Sequence, residues 1–497
     1  MITSSNPQRR RIAVGVGAAA ASLTAALAFA PPASAETSAQ FARSHGVLTI
    51  SGDSTANAIT VGRDRDGVIQ VNGGAVHIRG GLATVANTHR IVVLGGRGGD
   101  RIAIDEANGP LPRARLYGGA GGDELFGGSS KDRLFGQNGR DTLLGDAGDD
   151  VLSGGGGSDA LTGGVGTDQS FGDGGDDKLI WNPGDGSDLN EGGDGSDAVV
   201  VNGGGVGETF AAAANGSRVR FDRITPLPFT LDIGSSERLV VNGNGGDDSF
   251  AASGDLASLI ALTVDGGSDN DLISGGNGND TLSGGAGDDV VDGNKGSDAG
   301  FLGDGQDTFV WDAGDGSDPV DGGAGVDTLA FNGSADAERL DLTANGSQAR
   351  LVRDVGHVTM DLDAVEQVDT NALGGPDTVT VNDLTGTDVT GVGVSLAGAG
   401  GKTGDQAGDL VVMNATAGAD TVRLTGTPSD GVTATGLHAL VRVVGTDGPA
   451  DAVAFHALGG NDTVDATGLA AGVVSLTIDG GAGTDVLTGG PGTVLIQ

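Results

Sequence analysis

The apolar pattern of this chain repeats every nine residues. From residue 118 the units GGAGGDELF, GGSSKDRLF, GQNGRDTLL, GDAGDDVLS, GGGGSDALT, GGVGTDQSF and GDGGDDKLI follow one another without a gap. Leucine fills the eighth place as Leu125, Leu134, Leu143, Leu152, Leu161 and Leu179, with Ser170 the exception. Neither the helical nor the simple strand period produces this spacing, so the unit itself is the structural element. Its last three residues predict a minimal strand with the middle side chain turned inward. Its glycines supply the positive-φ turn before that strand. Two units then make one coil, and successive coils stack as parallel strands about 4.8 Å apart. Leu125, Leu143, Leu161 and Leu179 line one wall of a thin core, Leu134 and Leu152 the other, and Ser170 is its weak point.

A second block begins at residue 266 with GGSDNDLIS, GGNGNDTLS, GGAGDDVVD, GNKGSDAGF and LGDGQDTFV. Both blocks end alike: WNPGDGSDLNE (181–191) runs into GGDGSDAVV, and WDAGDGSDPVD (311–321) into GGAGVDTLA. Trp181 and Trp311 stand 130 residues apart, as do ANGSR (214–218) and ANGSQ (344–348), so a module of that length is duplicated. Residues 245–276 match 459–490 position for position. Alternating apolar pairs such as Ile102/Ile104, Val379/Val381 and Leu476/Ile478 predict short strands. A third module, from about residue 382, keeps only GDQAGDLVV (404–412) and GGAGTDVLT (480–488). The expected fold class is all-β: parallel β-roll or β-helix solenoid arrays alternating with short-stranded β segments. The expected divisions are an export segment (1–35), a β-rich segment (36–117), a first array (118–200), an intervening β segment (201–265), a second array (266–330) and a C-terminal β-rich region with degenerate repeats (331–497).

The sixth place carries the chemistry. It is Asp123, Asp132, Asp141, Asp150, Asp159, Asp168 and Asp177 in the first block, and Asp271, Asp280, Asp289, Asp298 and Asp307 in the second. Asp197, Asp327 and Asp485 hold the same place in later units. Stacking collects Asp123, Asp141, Asp159 and Asp177 in one column and Asp132, Asp150 and Asp168 in the other. Carboxylates ~5 Å apart repel by roughly 3 kcal/mol at an effective dielectric near 20, comparable to the ~1.5–3 kcal/mol gained by burying one leucine. A divalent cation between turns reverses that sign, and glycine-rich turns leave main-chain carbonyls as further oxygen ligands. Such a hard, flexible oxygen cage suits Ca2+ better than Mg2+. With no cysteine and six scattered histidines, zinc and copper lack their preferred ligands.

These units resemble the RTX (hemolysin-type) calcium-binding repeat family, directly across 118–200 and 266–330, with single copies near 404 and 480. The resemblance implies a parallel β-roll in which each sixth-place Asp, with turn carbonyls, ligates calcium between stacked turns. It adds Asp188 and Asp318, in the variant GDGSD turns, to the candidate ligands. Two departures stand out. Many members of the family leave the cell through a C-terminal signal, whereas this chain carries an N-terminal one, and it has no recognisable catalytic or pore-forming domain.

Charge and composition narrow the partners. With 67 acidic against 27 basic residues and a net charge of −40, nucleic acid is excluded and anionic membranes are repulsive. Aromatics at 3% leave no thick globular core, while 37% hydrophobic residues is too many for a disordered acidic tail. NPQRRR, the apolar stretch 12–30 and an A-x-A-like site before residue 36 predict a Sec-type signal peptide; the residues after the arginine run fit twin-arginine export poorly. No later stretch approaches the ~18 apolar residues of a membrane span. DRDGVIQVNG (64–73) lacks the acidic residue that would close an EF-hand, and GAGGKT (398–403) lacks the first glycine of a phosphate loop. H-E-x-x-H and G-x-S-x-G are absent, and one Tyr and two Trp give little surface for stacking sugars. The expected protein is secreted, non-enzymatic and calcium-binding. A calcium-dependent adhesin or matrix protein with a cell-surface partner is the second reading, and a polysaccharide-acting enzyme the third.

Overall fold

The computed structural model describes residues 36–398, 401 and 404–496. The expected export segment lies outside the described residues, and of GAGGKT only Gly398 and Gly401 are described. Strand accounts for 56% of the described residues and helix for 2%, so the protein is all-β, with the long parallel sheets expected of a solenoid.

Each nonapeptide contributes one strand, and consecutive strands enter opposite sheets. In one sheet Ala114–Ala120, Arg133–Asn138, Val151–Gly156, Gln169–Gly174 and Leu189–Asp194 pair in parallel. In the other, Glu124–Gly128, Thr142–Asp146, Ala160–Thr162, Lys178–Trp181 and Ala198–Asn202 do the same. The register aligns Leu116, Leu134, Leu152 and Ser170 on one wall and Leu125, Leu143, Leu161 and Leu179 on the other. All eight side chains are buried, the serine included. The second array repeats the arrangement, aligning Ile273, Val291, Phe309 and Leu329 in one sheet and Val264, Leu282, Gly300 and Val320 in the other. Gly300 stands where the pattern calls for a large apolar residue. The Phe309 ring occupies the volume that a side chain there would need.

The sheets do not stop between the arrays. Val199 pairs with Leu239 and Leu239 with Leu262, which carries one wall from the first array to the second. The excursion between them is a three-stranded antiparallel insert, Thr209–Asn215, Arg218–Thr225 and Phe229–Gly234. Its outer strands pair in parallel with Ser249–Ser253 and Leu189–Asp194, so it extends the wall by three strands. The 130-residue duplicate, Arg339–Asn345, Gln348–Arg353 and Val358–Asp363, makes the same insert in the opposite sheet. A third insert, Thr421–Thr427, Gly431–Thr435 and Leu440–Val444, returns to the first sheet.

Close coil stacking dictates glycine at the fourth place of most units. Gly139, Gly157 and Gly175 have φ of 143°, 145° and 131°, and a Cβ on Gly157 or Gly175 would overlap the carbonyl oxygen of its equivalent one coil back. Gly157→Ala is therefore expected to cost about 3 kcal/mol or more, from overlap and backbone strain together. Exposed Gly205, with open space at its Cβ position, should tolerate alanine within ~0.5 kcal/mol. Equilibrium denaturation of both variants against the parent checks this, and equal midpoints would contradict it.

Candidate metal centre

The sixth-place aspartates are buried in the turns and bonded to one another's backbones. The N–H of Asp123 donates to Asp141 Oδ1 (2.7 Å), Asp141 to Asp159 (2.7 Å), Asp159 to Asp177 (2.8 Å) and Asp177 to Asp197 (2.8 Å). The second column runs Asp132 to Asp150 (2.7 Å), Asp150 to Asp168 (2.7 Å) and Asp168 to Asp188 (2.8 Å). In the second array Asp271, Asp289, Asp307 and Asp327 form one ladder and Asp280, Asp298 and Asp318 another. Asp485 accepts from the N–H of Asp462 (3.0 Å). The members of each sequence-assigned column thus stand on adjacent coils.

One carboxylate oxygen is satisfied and the other is bare. Oδ2 of Asp123, Asp141, Asp150, Asp159, Asp168, Asp177, Asp197, Asp271, Asp289, Asp298, Asp307 and Asp327 is buried with no hydrogen-bond partner. Asp280 differs, its Oδ2 accepting the N–H of Gly276 at 2.9 Å. The bare oxygen faces the first-place glycine, except at Asp307, whose first place is the buried Leu302. At Gly154 the point a Cβ would occupy lies 2.5 Å from Asp159 Oδ2 and 2.9 Å from the carbonyl oxygen of Gly172 on the next coil. A bare carboxylate oxygen and a carbonyl thus share a space that only glycine leaves clear. Among the described residues no three Asp, Glu, His or Cys side chains converge as a metal cluster, so a cation here must draw main-chain oxygens as well. This all-oxygen donor set fits calcium.

Burial, more than mutual repulsion, makes the bare carboxylates costly. Desolvation is the largest influence raising Asp150 and Asp298 to about 8 and Asp141 to about 7; the neighbouring carboxylates contribute less. The repulsion expected between column neighbours is present, with desolvation of each carboxylate the larger cost. The N–H donated from the adjacent coil offsets part of the charge, and pairing by strand period alone does not reveal that bond.

The variant GDGSD turns are built around tryptophan. Trp181 Nε1 donates to the carbonyl of Gly186 (2.9 Å) and Trp311 Nε1 to that of Gly316 (2.8 Å). The two extra residues are absorbed there, and Asp188 and Asp318 keep their places in the ladder. At 64–73, Asp64 Oδ1 accepts the N–H groups of Asp66 (3.0 Å) and Val68 (2.9 Å), which makes a tight turn.

Sequence reasoning missed how far the ladder extends. The N–H of Asn57 donates to Asp100 and that of Asp100 to Asp123 (both 2.7 Å). Glu208 donates to Asp248 (2.7 Å) and Asp248 to Asp271 (2.8 Å). Glu338, Asp377, Asp409 and Asp451 continue in the same way, as do Asp420 and Asp462. The signal was available at Asp100 and Asp248: each has glycine five places earlier, Gly95 and Gly243, and a buried apolar residue two places later, Ile102 and Phe250.

The chain itself supplies the cation to Glu208 and Glu338, although Glu338 Oε2 stays buried without a hydrogen-bond partner. Arg223 Nη1 bonds Glu208 Oε1 at 2.7 Å, while its guanidinium lies 4.9 Å from the centres of both the Trp181 and Phe229 rings. Arg353 pairs with Glu338 and stands 5.3 Å from the Trp311 ring centre. All four charged side chains are buried.

A solenoid of glycine–aspartate turns with bare carboxylate oxygens defines a β-roll of the cation-binding kind. The family model described as RTX calcium-binding nonapeptide repeat (4 copies) matches residues 115–143, 144–179, 265–300, 274–309 and 477–494, so this chain carries RTX calcium-binding repeats. No curated protein matches the chain.

Two outcomes follow from the buried charges. Unfolded aspartates titrate near pH 4, whereas the metal-free fold holds Asp150 and Asp298 up to about 8. The fold therefore binds more protons than the unfolded chain across that interval, and its stability falls as pH rises from about 4 to about 8. Asp53, Asp149 and Asp465 are held low, chiefly by Thr55, Lys131 and Thr467, and act in the opposite sense only below about pH 4. Melting temperatures of dialysed, metal-free protein across this range test the sign. Arg223→Met should cost about 3–5 kcal/mol by stranding the buried Glu208 carboxylate, and adding Glu208→Gln should recover much of it; denaturant melts of the single and double variants measure both.

Proposed function

We propose that this is a secreted, non-enzymatic calcium-binding protein whose repeat turns order on binding. One observation carries the reading: in coil after coil a buried carboxylate oxygen without a partner faces a carbonyl oxygen across a glycine-only space. Calcium supplies the positive charge and the coordination that these oxygens lack. The Asp Oδ1 atoms, held by N–H groups of adjacent coils, orient each carboxylate. First-place glycines keep the approach open, and the inward leucines hold the coils in register. Loading displaces protons from carboxyls whose pKa is raised, which makes affinity rise with pH. The basic, apolar leader supports export, and among the described residues no helix is long and apolar enough to cross a membrane. The lack of hydrolase motifs and the scarcity of Tyr and Trp support a binding role over catalysis.

Adding calcium at ~10⁻⁴–10⁻³ M to chelator-treated protein should increase far-UV circular dichroism and release or absorb measurable heat. Asp141→Ala and Asp159→Ala should each weaken the response several-fold, while Asp64→Ala should leave it unchanged. No gain in structure and no heat would overturn the reading, and equal effects at all three positions would overturn the assigned sites.

A further inference from the structure

Three local chemistries occur among six ladder positions outside the matched repeats. At Asp100 and Asp248 the first-place residue is glycine. A Cβ on Gly95 would overlap both Asp100 Oδ2 and the carbonyl oxygen of Gly118, and one on Gly243 both Asp248 Oδ2 and the carbonyl oxygen of Gly266. Both Oδ2 atoms are buried without a partner, on side chains 1% and 7% exposed. At Glu208 and Glu338 the arginines described above already supply a positive charge. At Asp377 and Asp462 the Oδ2 atoms are bare and buried, but the first-place residues are the buried Ala372 and Ala457. A methyl group thus stands at the place where nearly every array unit has glycine.

We propose that Asp100 and Asp248 each complete a further divalent-cation site, between Asp100 and Asp123 and between Asp248 and Asp271, and that the alanine-backed Asp377 and Asp462 bind none. The proposal rests on the reading of the array turns as calcium sites. It makes occupancy depend on the first-place residue as well as on the aspartate, and so groups Asp307, backed by Leu302, with the closed positions. Cation binding thus extends one coil beyond the matched repeats at the start of each array, and is closed by arginine at Glu208 and Glu338 and by a methyl group at Asp377 and Asp462.

Native mass spectrometry of the full chain, stripped with chelator and reloaded with calcium, counts the ions directly. Asparagine retains the Oδ1 that accepts the neighbouring N–H, so Asp100→Asn and Asp248→Asn keep the ladder bonds. Each should lower the count by at least one, as should Asp141→Asn in the array. Asp377→Asn and Asp462→Asn should leave the count unchanged. Gly243→Ala leaves Asp248 in place but fills the space, and should lose the same ion as Asp248→Asn. If Asp141→Asn lowers the count while Asp100→Asn and Asp248→Asn do not, the added sites are wrong and the array reading stands. A loss at Asp377→Asn or Asp462→Asn, or none at Gly243→Ala, overturns the rule that alanine closes the site. An unchanged count for Asp141→Asn overturns the array reading itself.

Discussion

The structure depends on a half-satisfied carboxylate. Each ladder aspartate accepts an N–H from the coil before it, which fixes the side chain and ties adjacent turns together. In most array coils its second oxygen is then buried without a donor, a costly arrangement in a protein interior. Glycine at the first place of every array nonapeptide but that of Leu302 follows from this, because a Cβ on those glycines would crowd that oxygen. Glycine at the fourth place follows from coil stacking at positive φ. The thin core of one inward side chain per strand gives register and some stability, but it leaves the charged turns dependent on an outside cation.

Where an insert interrupts the turns, the chain supplies its own solution. Trp181, Glu208 and Arg223 recur 130 residues later as Trp311, Glu338 and Arg353. In both copies a buried guanidinium neutralises the ladder carboxylate and lies near the tryptophan ring that builds the neighbouring variant turn. The two copies lie in opposite sheets, because the two walls of the solenoid offer the same parallel strand edge and the same inward spacing. A module can therefore be installed on either wall without changing its internal packing.

Much of the array was legible in the sequence because its coil length is constant. With one leucine and one aspartate per unit, counting alone assigns Leu143 and Leu161 to one wall and Asp150 and Asp168 to one column. Gly300 and Ser170 break the apolar pattern in the sequence. Only the packing shows how each is accommodated: the Phe309 ring fills the space beside Gly300, and Ser170 is buried in line with Leu152.

The sequence by itself determined the repeat, the all-β class and the oxygen chemistry of the turns, because those follow from residue types at a fixed period. Tertiary structure decided which carboxylate oxygen is bonded and which is bare, since that depends on an N–H from another coil. It also decided that the ladder runs on through Asp100, Asp248, Asp377, Asp409 and Asp451. The steps there are 23, 40, 32 and 42 residues instead of 18. Once an insert or loop of variable length leaves the solenoid and returns, period no longer predicts position. The returning strand is set by the hydrogen-bonding edge and inward apolar side chains that receive it.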